Sequence, residues 1–424
     1  MTEPISATTD SSLKMLSISL PSLKSFIPFS REKAVISLAP AKTHNIESSP
    51  GKPARTLKHL LKLNHANHAI LYNNLKFHNH APHLLSAAFL QGADADHLTR
   101  IYETESTLLD EWVDSPAEVT NEDWRDHLGR REYQKAFVDY YEDELVRFDY
   151  DWKEVINEYL FSGENPVFNS IIADLGHPLI HLAYAYEMSS REVAMEALGL
   201  ASVCYNDHHK YLDDPLYSQT ESSYTATSIF EVLEKVRSDK QLDGIFAVPG
   251  HDNINQLFHS HEAVLLNHWN AWKIENPTEQ FRESQELAAA LLVATHKNHD
   301  EKYDFFFVHV VTTSHAVRVL LPMIPPKFQI PLIRQWWLMV VSFYIAQLRP
   351  EVPLDRIHEF ELQGRDWAWT AVKAIKSDHG TDSHYVKAIK SLGDMASTWG
   401  DQDSFYLKAA VKYAEEFNGW GGFV

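Results

Sequence analysis

From Thr56 onward, apolar residues recur mostly at intervals of three and four. Leu57, Leu60, Leu61 and Leu63, then Ile70 and Leu71, mark the buried face of an amphipathic helix. A second helix is expected over Ala81–Leu90, with Pro82 in its first turn and Gly92 after its end. A third begins near Asp96 and runs through Ile101 to Leu108, and Asn121–Phe161 carries two more. Asn169–Glu187 is strongly apolar, and Ser189-Ser190-Arg191-Glu192 reads as the capped start of a helix reaching Tyr205. Residues 207–224 are polar and irregular. Further helices are expected over Ser228–Ser238, Asn253–Asn270, Glu279–Lys297, Tyr303–Leu321, Pro331–Leu348, Pro353–Lys376, Ser383–Leu392 and Ser404–Glu416. Neither sustained two-residue alternation nor a fixed repeat is visible. The pattern therefore predicts an all-α fold, a single large multi-helix bundle or array over 56–424.

Residues 1–55 break this pattern. They are rich in Ser, Thr, Pro and Lys, and Ser48-Ser49-Pro50-Gly51-Lys52-Pro53 reads as a linker. An extended, poorly structured N-terminal arm is expected there, with one short strand at Ala34–Leu38.

Composition narrows the function classes. Hydrophobic residues make up 44% of the 424-residue chain and aromatics 12%, enough to build a sizeable core. The net charge of −20, without a Lys/Arg cluster, argues against a nucleic-acid partner. The lone cysteine, Cys204, allows no internal disulfide and fits a reducing compartment. Met1–Ser12 lacks the apolar run of a secretory signal. The most apolar stretch, Trp336–Ala346, is shorter than the ~20 residues a membrane span needs. A cytoplasmic protein without a membrane span is expected.

The chain carries 24 histidines, many in short clusters at helical spacing. In Phe77-His78-Asn79-His80-Ala81-Pro82-His83, His80 and His83 can share a face at a helix start. His65 and His68 stand one helix earlier. In Gly176-His177-Pro178-Leu179-Ile180-His181, the two histidines are four apart, the spacing at which one helix offers two imidazoles to one ion. Hydrogen-bonded core histidines are the plainer reading, because an unpartnered imidazole is costly on so apolar a face. His309 and His315 lie in or beside the apolar run Phe305–Thr312. In Asp382-Ser383-His384-Tyr385-Val386-Lys387, His384 and Lys387 stand about one turn apart. A plain lysine is protonated at neutral pH and ligates poorly, whereas a lysine carbamylated by CO2 offers a carboxylate-like oxygen. Asp207-His208-His209 and His251-Asp252 match hydrolase metal motifs only over two or three letters. Neither a Gly-rich nucleotide loop nor a Gly-x-Ser-x-Gly elbow is present.

Taken in order, Phe77-His78-Asn79-His80, Gly92-Ala93, Gly176-His177-Pro178-Leu179-Ile180-His181, Glu196-Ala197-Leu198, Phe306-Phe307-Val308-His309-Val310-Val311-Thr312 and Asp382-Ser383-His384-Tyr385-Val386-Lys387 resemble the questin oxidase-like family of fungal polyketide biosynthesis. The resemblance spans about 57–420. It implies an O2-dependent oxygenase that cleaves a ring carbon–carbon bond beside the quinone carbonyl of an anthraquinone-type polyketide. It further implies a non-haem iron, Fe(II), held by His80, His177, His309, His384 and a modified Lys387, with O2 as co-substrate and NADPH needed only indirectly, to reduce the substrate. His68, His83, His181 and His315 match less closely, and any of the first three is a substitute ligand. Trp336, Trp337, Phe305, Phe306 and Tyr184 are available to wall a flat substrate, although core packing is the commoner role of such residues. Two other classes remain: a hydrolase using zinc-activated water, and a non-catalytic helical binding protein whose histidines are structural.

Overall fold

Several helices start where the chain supplies a first-turn proline or a side-chain cap. Pro53, Pro82 and Pro277 occupy first turns. Asp94, Ser190, Ser228, Asp304, Asp366 and Asp382 accept hydrogen bonds from the backbone N–H groups that open their helices. The computed structural model describes residues 36–297 and 301–423, and all of these lie in one unit, Val35–Val424. That unit is all-α. Among the described residues the strands are two-residue pairs: Leu71–Tyr72 runs antiparallel to Phe77–His78, and Tyr303–Asp304 parallel to Trp420–Gly421. No helix of the described residues is long and apolar enough to cross a membrane.

Four helices form the centre: Ala81–Leu90, Ala173–Met188, Phe305–Leu320 and Ser383–Trp399. Ala173–Met188 packs on Phe305–Leu320, which packs on Ser383–Trp399. Ala81–Leu90 packs against both Ala173–Met188 and Ser383–Trp399. Arg191–Val203, Pro277–Val293 and Gln329–Ala346 wrap this centre with their own apolar surfaces. Trp336 and Trp337 are fully buried, and Trp337 meets Trp272 edge-on at 5.6 Å, so these two tryptophans belong to the core.

Several boundaries differ from the sequence expectation. The expected helix Asn253–Asn270 is two, Asp252–Ser260 and Glu262–Ala271, broken at His261. Leu257 and Leu265, one on each side of the break, are both fully buried. Of Pro353–Lys376 only Asp355–His358 and Trp367–Lys376 are helical, because Gln363 and Gly364 take positive φ between them. The stretch before Gln134 forms short 3-10 turns. Ile36–Leu38 form no strand, while Ala34 and Val35 lie outside the described residues. Within the expected arm, Ile36 and Ile46 are buried, Ile36 donates its N–H to Gln329 Oε1 (3.2 Å), and Ile46 donates to the Met188 carbonyl (3.3 Å).

One joint positions the centre. Ala173–Met188 opens with three residues in left-handed conformation, Asp174, Leu175 and Gly176 (φ 50°, 58° and 77°). Pro178 follows where the helix proper begins, so its missing N–H costs little there. A Cβ on Gly176 would collide with the Thr313 side chain of the facing helix. The glycine therefore lets two helices approach at the level of His177 and His309. We expect Gly176→Ala to destabilise the fold by about 2–4 kcal/mol, combining left-handed strain with the clash. Gly92→Ala also has positive φ (92°) but meets no atom within 4 Å, so it should cost only about 1–2 kcal/mol. Urea unfolding of both variants checks this, and equal costs would mean that the Thr313 contact does not matter.

Candidate metal centre

The central helices bring together His80, His177, His309, His384 and Lys387. His80 immediately precedes Ala81–Leu90, at its N-cap position. Its neighbour Asn79 is buried, donates to Asn64 Oδ1 (3.0 Å) and the Ala69 carbonyl (3.1 Å), and accepts from the Ala81 N–H (3.0 Å). Asn79 thereby ties the hairpin to the helix start and aims His80 inward. His177 and His309 are each fixed through Nδ1, which donates to the carbonyls of Asp174 (2.5 Å) and Phe305 (2.7 Å). A carbonyl only accepts, so both Nδ1 atoms carry the proton and both Nε2 atoms present a lone pair. The His384 turn is held by Asp382, whose Oδ1 accepts from the N–H groups of His384 (2.9 Å) and Tyr385 (3.0 Å).

The rings converge. His80 Nε2 lies 2.9 Å from His177 Nε2. Ring centroids stand 4.7 Å apart for His80–His384, 4.8 Å for His309–His384 and 5.2 Å for His177–His309. One ligand atom each from His80, His177 and His384 lies within 4.8 Å of the others. His309 Nε2, His384 Nε2 and Lys387 Nζ are buried without a hydrogen-bond partner. Burial and the Lys387 charge hold His80 and His384 well below the ordinary imidazole value, and lower His309 to about 3. For His177, burial and the neighbouring imidazoles do the same. Burial takes the Lys387 amine down to about 7, against the opposing pull of Asp382 and Glu105. Neutral imidazoles with inward lone pairs are the protonation state a divalent cation requires, and orphaned buried donors of this kind are otherwise costly.

Most of the other candidate histidines have partners of their own. His83 Nε2 meets His181 Nδ1 (2.9 Å), and His181 Nε2 donates to Glu196 Oε2 (2.8 Å). Glu196 Oε1 accepts from His65 Nδ1 (2.9 Å), and His65 Nε2 donates to Glu142 (2.8 Å). This chain runs from beside the cluster to the surface. His315 belongs to a second group, with Glu187 and Asp394. Lys390 Nζ fills that group, 2.6 Å from Glu187 Oε1, 2.6 Å from His315 Nε2 and 2.7 Å from Asp394 Oδ2. A cavity of about 770 Å³ borders this lysine cage rather than the histidine cluster. His68 sits at the end of Lys52–Asn67, beside Tyr102, in neither group. Of the two hydrolase-like fragments, His209 bonds Asp213 (2.6 Å) and His208 stacks on Phe258 at 4.1 Å. His251 lines a 160 Å³ cavity with His208.

The sequence reading missed three supports. His78 stacks on His177 at 3.9 Å and 5°. Asp174 bonds both His78 (3.3 Å) and Arg131; although burial pushes its carboxyl up, His78 and Arg131 hold it at about 2. Glu105 is pushed up to about 7 by burial and the Asp382 charge, and faces Lys387. Asp174, three residues before His177, was the one with a local signal. Among the aromatics, Phe305 touches His309 and His384, both at 4.7 Å, and Tyr184 stacks near His83 at 5.6 Å.

The His65 pairing has a pH signature. Burial pulls His65 down, but Glu142 and Glu196 on its two nitrogens outweigh it and raise it to about 10 from 6.5. Glu196, pushed up by burial, is held at about 2 by His181 and His65, below its usual 4.5. The histidine's contribution is full below pH 6.5 and fades as pH rises toward 10; the glutamate's is full above 4.5 and fades toward 2. His65→Leu should destabilise by about 3–5 kcal/mol near pH 6, by stranding a buried carboxylate. It should also flatten the alkaline decline in unfolding free energy, and an alkaline slope equal to wild type would remove His65 from this role.

Comparison with known proteins agrees with the resemblance. The family model described as questin oxidase-like matches residues 77–392. A Baeyer-Villiger oxidase (mdpL) of Emericella nidulans is 23% identical over 397 residues, covering 85% of this chain and 86% of its own. Questin oxidases of Aspergillus terreus and Aspergillus fumigatus are 22% and 25% identical, covering 82% of this chain in each case and 81% and 82% of their own. The matched segment holds His80, His177, His309, His384 and Lys387 and takes in most of the chain, which therefore belongs to the questin oxidase-like family.

Proposed function

We propose that this chain is a non-haem iron, O2-dependent oxygenase. It cleaves a ring carbon–carbon bond beside the quinone carbonyl of an anthraquinone-type polyketide. The observation that carries this reading is the convergence of four imidazoles held neutral and one desolvated lysine amine between the central helices, with His309 Nε2, His384 Nε2 and Lys387 Nζ buried and unpartnered. The relatives named questin oxidase and Baeyer-Villiger oxidase supply the reaction class.

The residues fit the implied metal. His80, His177, His309 and His384 would hold it through nitrogen, and Lys387, once carbamylated by CO2, through oxygen. All-nitrogen-and-oxygen donors of this kind suit Fe(II). Bound there, iron supplies the one-electron chemistry that lets triplet O2 react with a closed-shell aromatic.

The other tasks fall to the chain itself. The Asp174 and Phe305 carbonyls keep protons on Nδ1 of His177 and His309, so that Nε2 faces inward in a fixed tautomer. The apolar walls exclude water, which protects reactive species from side reactions. The Phe305 ring beside His309 and His384 offers a flat apolar face to an aromatic substrate. NADPH enters only upstream, as a reductant of the quinone.

Metal analysis beside an oxygen-dependence assay tests the reading. Purified protein should carry about one iron per chain and consume O2 with a hydroxyanthraquinone or its reduced form. His309→Ala and Lys387→Ala should each lose the iron and at least ~10²-fold in turnover. Equal turnover under argon, or stoichiometric zinc with hydrolytic activity, would overturn it.

A further inference from the structure

His309 Nε2, His384 Nε2 and Lys387 Nζ are all buried. A rigid tricyclic molecule reaches them only if a piece of the protein moves. Above Phe305 lies a segment suited to moving, Gly419–Phe423. Its attachments are few. Trp420–Gly421 pairs with Tyr303–Asp304 over two residues. Trp420 Nε1 donates to Asp382 Oδ2 (2.7 Å), and the Gly422 carbonyl accepts from Gln347 Nε2 (3.3 Å). Gly419 and Gly422 both take positive φ (116° and 87°), so the segment carries joints at both ends of the strand. A Cβ on Gly422 would lie 2.9 Å from both Asp304 Oδ2 and Gln347 Oε1, so only glycine lets the tail close this tightly.

What the tail carries is aromatic. Phe423 packs on the Phe305 ring at 4.6 Å while remaining 54% exposed. Trp420 approaches both Phe305 and His384 at 5.9 Å. An exposed phenyl group held on the one ring that touches both His309 and His384 occupies the position from which a flat substrate would face those imidazoles. The segment lies beyond the 77–392 stretch that matches the family model.

We propose that Gly419–Phe423 is a gate over the histidine cluster, in which Phe423 packs on Phe305 in the place that a ring of a planar polycyclic aromatic ligand takes when bound. Phe305 is thus the stacking platform, and Trp420, anchored to the same Asp382 that caps the His384 turn, is the fixed post on which the gate swings. This rests on the function proposed above for its ligand class, but its test needs no turnover.

Binding of the planar dihydroxyanthraquinone danthron to purified full-length protein, without O2, is followed by stopped-flow fluorescence. Wild type, Phe423→Gly and Phe305→Ala are compared, with metal content and melting temperature recorded for each. Removing the plug should raise the association rate constant severalfold with the metal content unchanged. Removing the platform should weaken equilibrium binding roughly tenfold, the worth of a well-formed aromatic pair. Gly422→Ala, which holds the tail off Asp304 and Gln347, should accelerate association as Phe423→Gly does. An unchanged association rate in Phe423→Gly, an unchanged affinity in Phe305→Ala, or no danthron binding to wild type overturns the gate. Variants that behave as expected in a protein that never consumes O2 would uphold the gate and sink the oxygenase instead.

Discussion

Holding neutral imidazoles with inward lone pairs in an apolar interior is the constraint on which the rest of this structure depends. Each such nitrogen gives up its hydrogen bonds to water, and the loss is tolerable only if another group or a cation replaces them. His177 and His309 meet half of that demand with backbone carbonyls, which also dictate which nitrogen faces inward. His309 Nε2, His384 Nε2 and Lys387 Nζ meet none of it within the protein. The left-handed joint at Asp174–Gly176, the close approach to Thr313 and the Asn79 clamp all serve to bring these groups to one point.

The same helices carry a second polar cluster with the opposite solution. About two to three turns further along, Glu187, His315 and Asp394 surround the Lys390 ammonium. There the fold supplies its own cation, and the charges are paired within the protein. At Lys387, one turn earlier on the same helix, the amine stands among imidazoles, and burial lowers it to about 7 against the weaker pull of Asp382 and Glu105. Two lysines three residues apart thus have opposite fates, decided by what the neighbouring helices present to each.

The supporting residues form a graded shell. The carboxylate of Asp174, held low by His78 and Arg131, sits under the His78–His177 stack. The Glu196 carboxylate orients His181 and, through it, His83. Asp382 links the His384 turn to Trp420 of the tail. Each support ties an imidazole-bearing segment to a charged group outside the cluster, so the imidazoles stay neutral while their frame is ionic.

Much of this was legible in the chain alone. The three-and-four spacing of Leu57, Leu60 and Leu61 specified helices, because helix faces bury residues at that period. His177 and His309 stood out because they interrupt the apolar runs at Gly176–His181 and Phe305–Thr312, while the full set with His80, His384 and Lys387 came from the family resemblance. What the chain could not disclose was partnership. Nothing local distinguishes Lys387 from Lys390, His177 from His181, or Phe305 from Trp337. Each pair lies in similar surroundings along the sequence, and each is separated by what other helices place opposite it. The helix breaks at His261 and Gly364 escaped as well, since the three-and-four period runs on across both of them. Periodicity and the identity of the donors are local properties, so the sequence determined them. Which donors meet, which are neutralised and what covers them depend on segments hundreds of residues apart, so only the tertiary structure decided them.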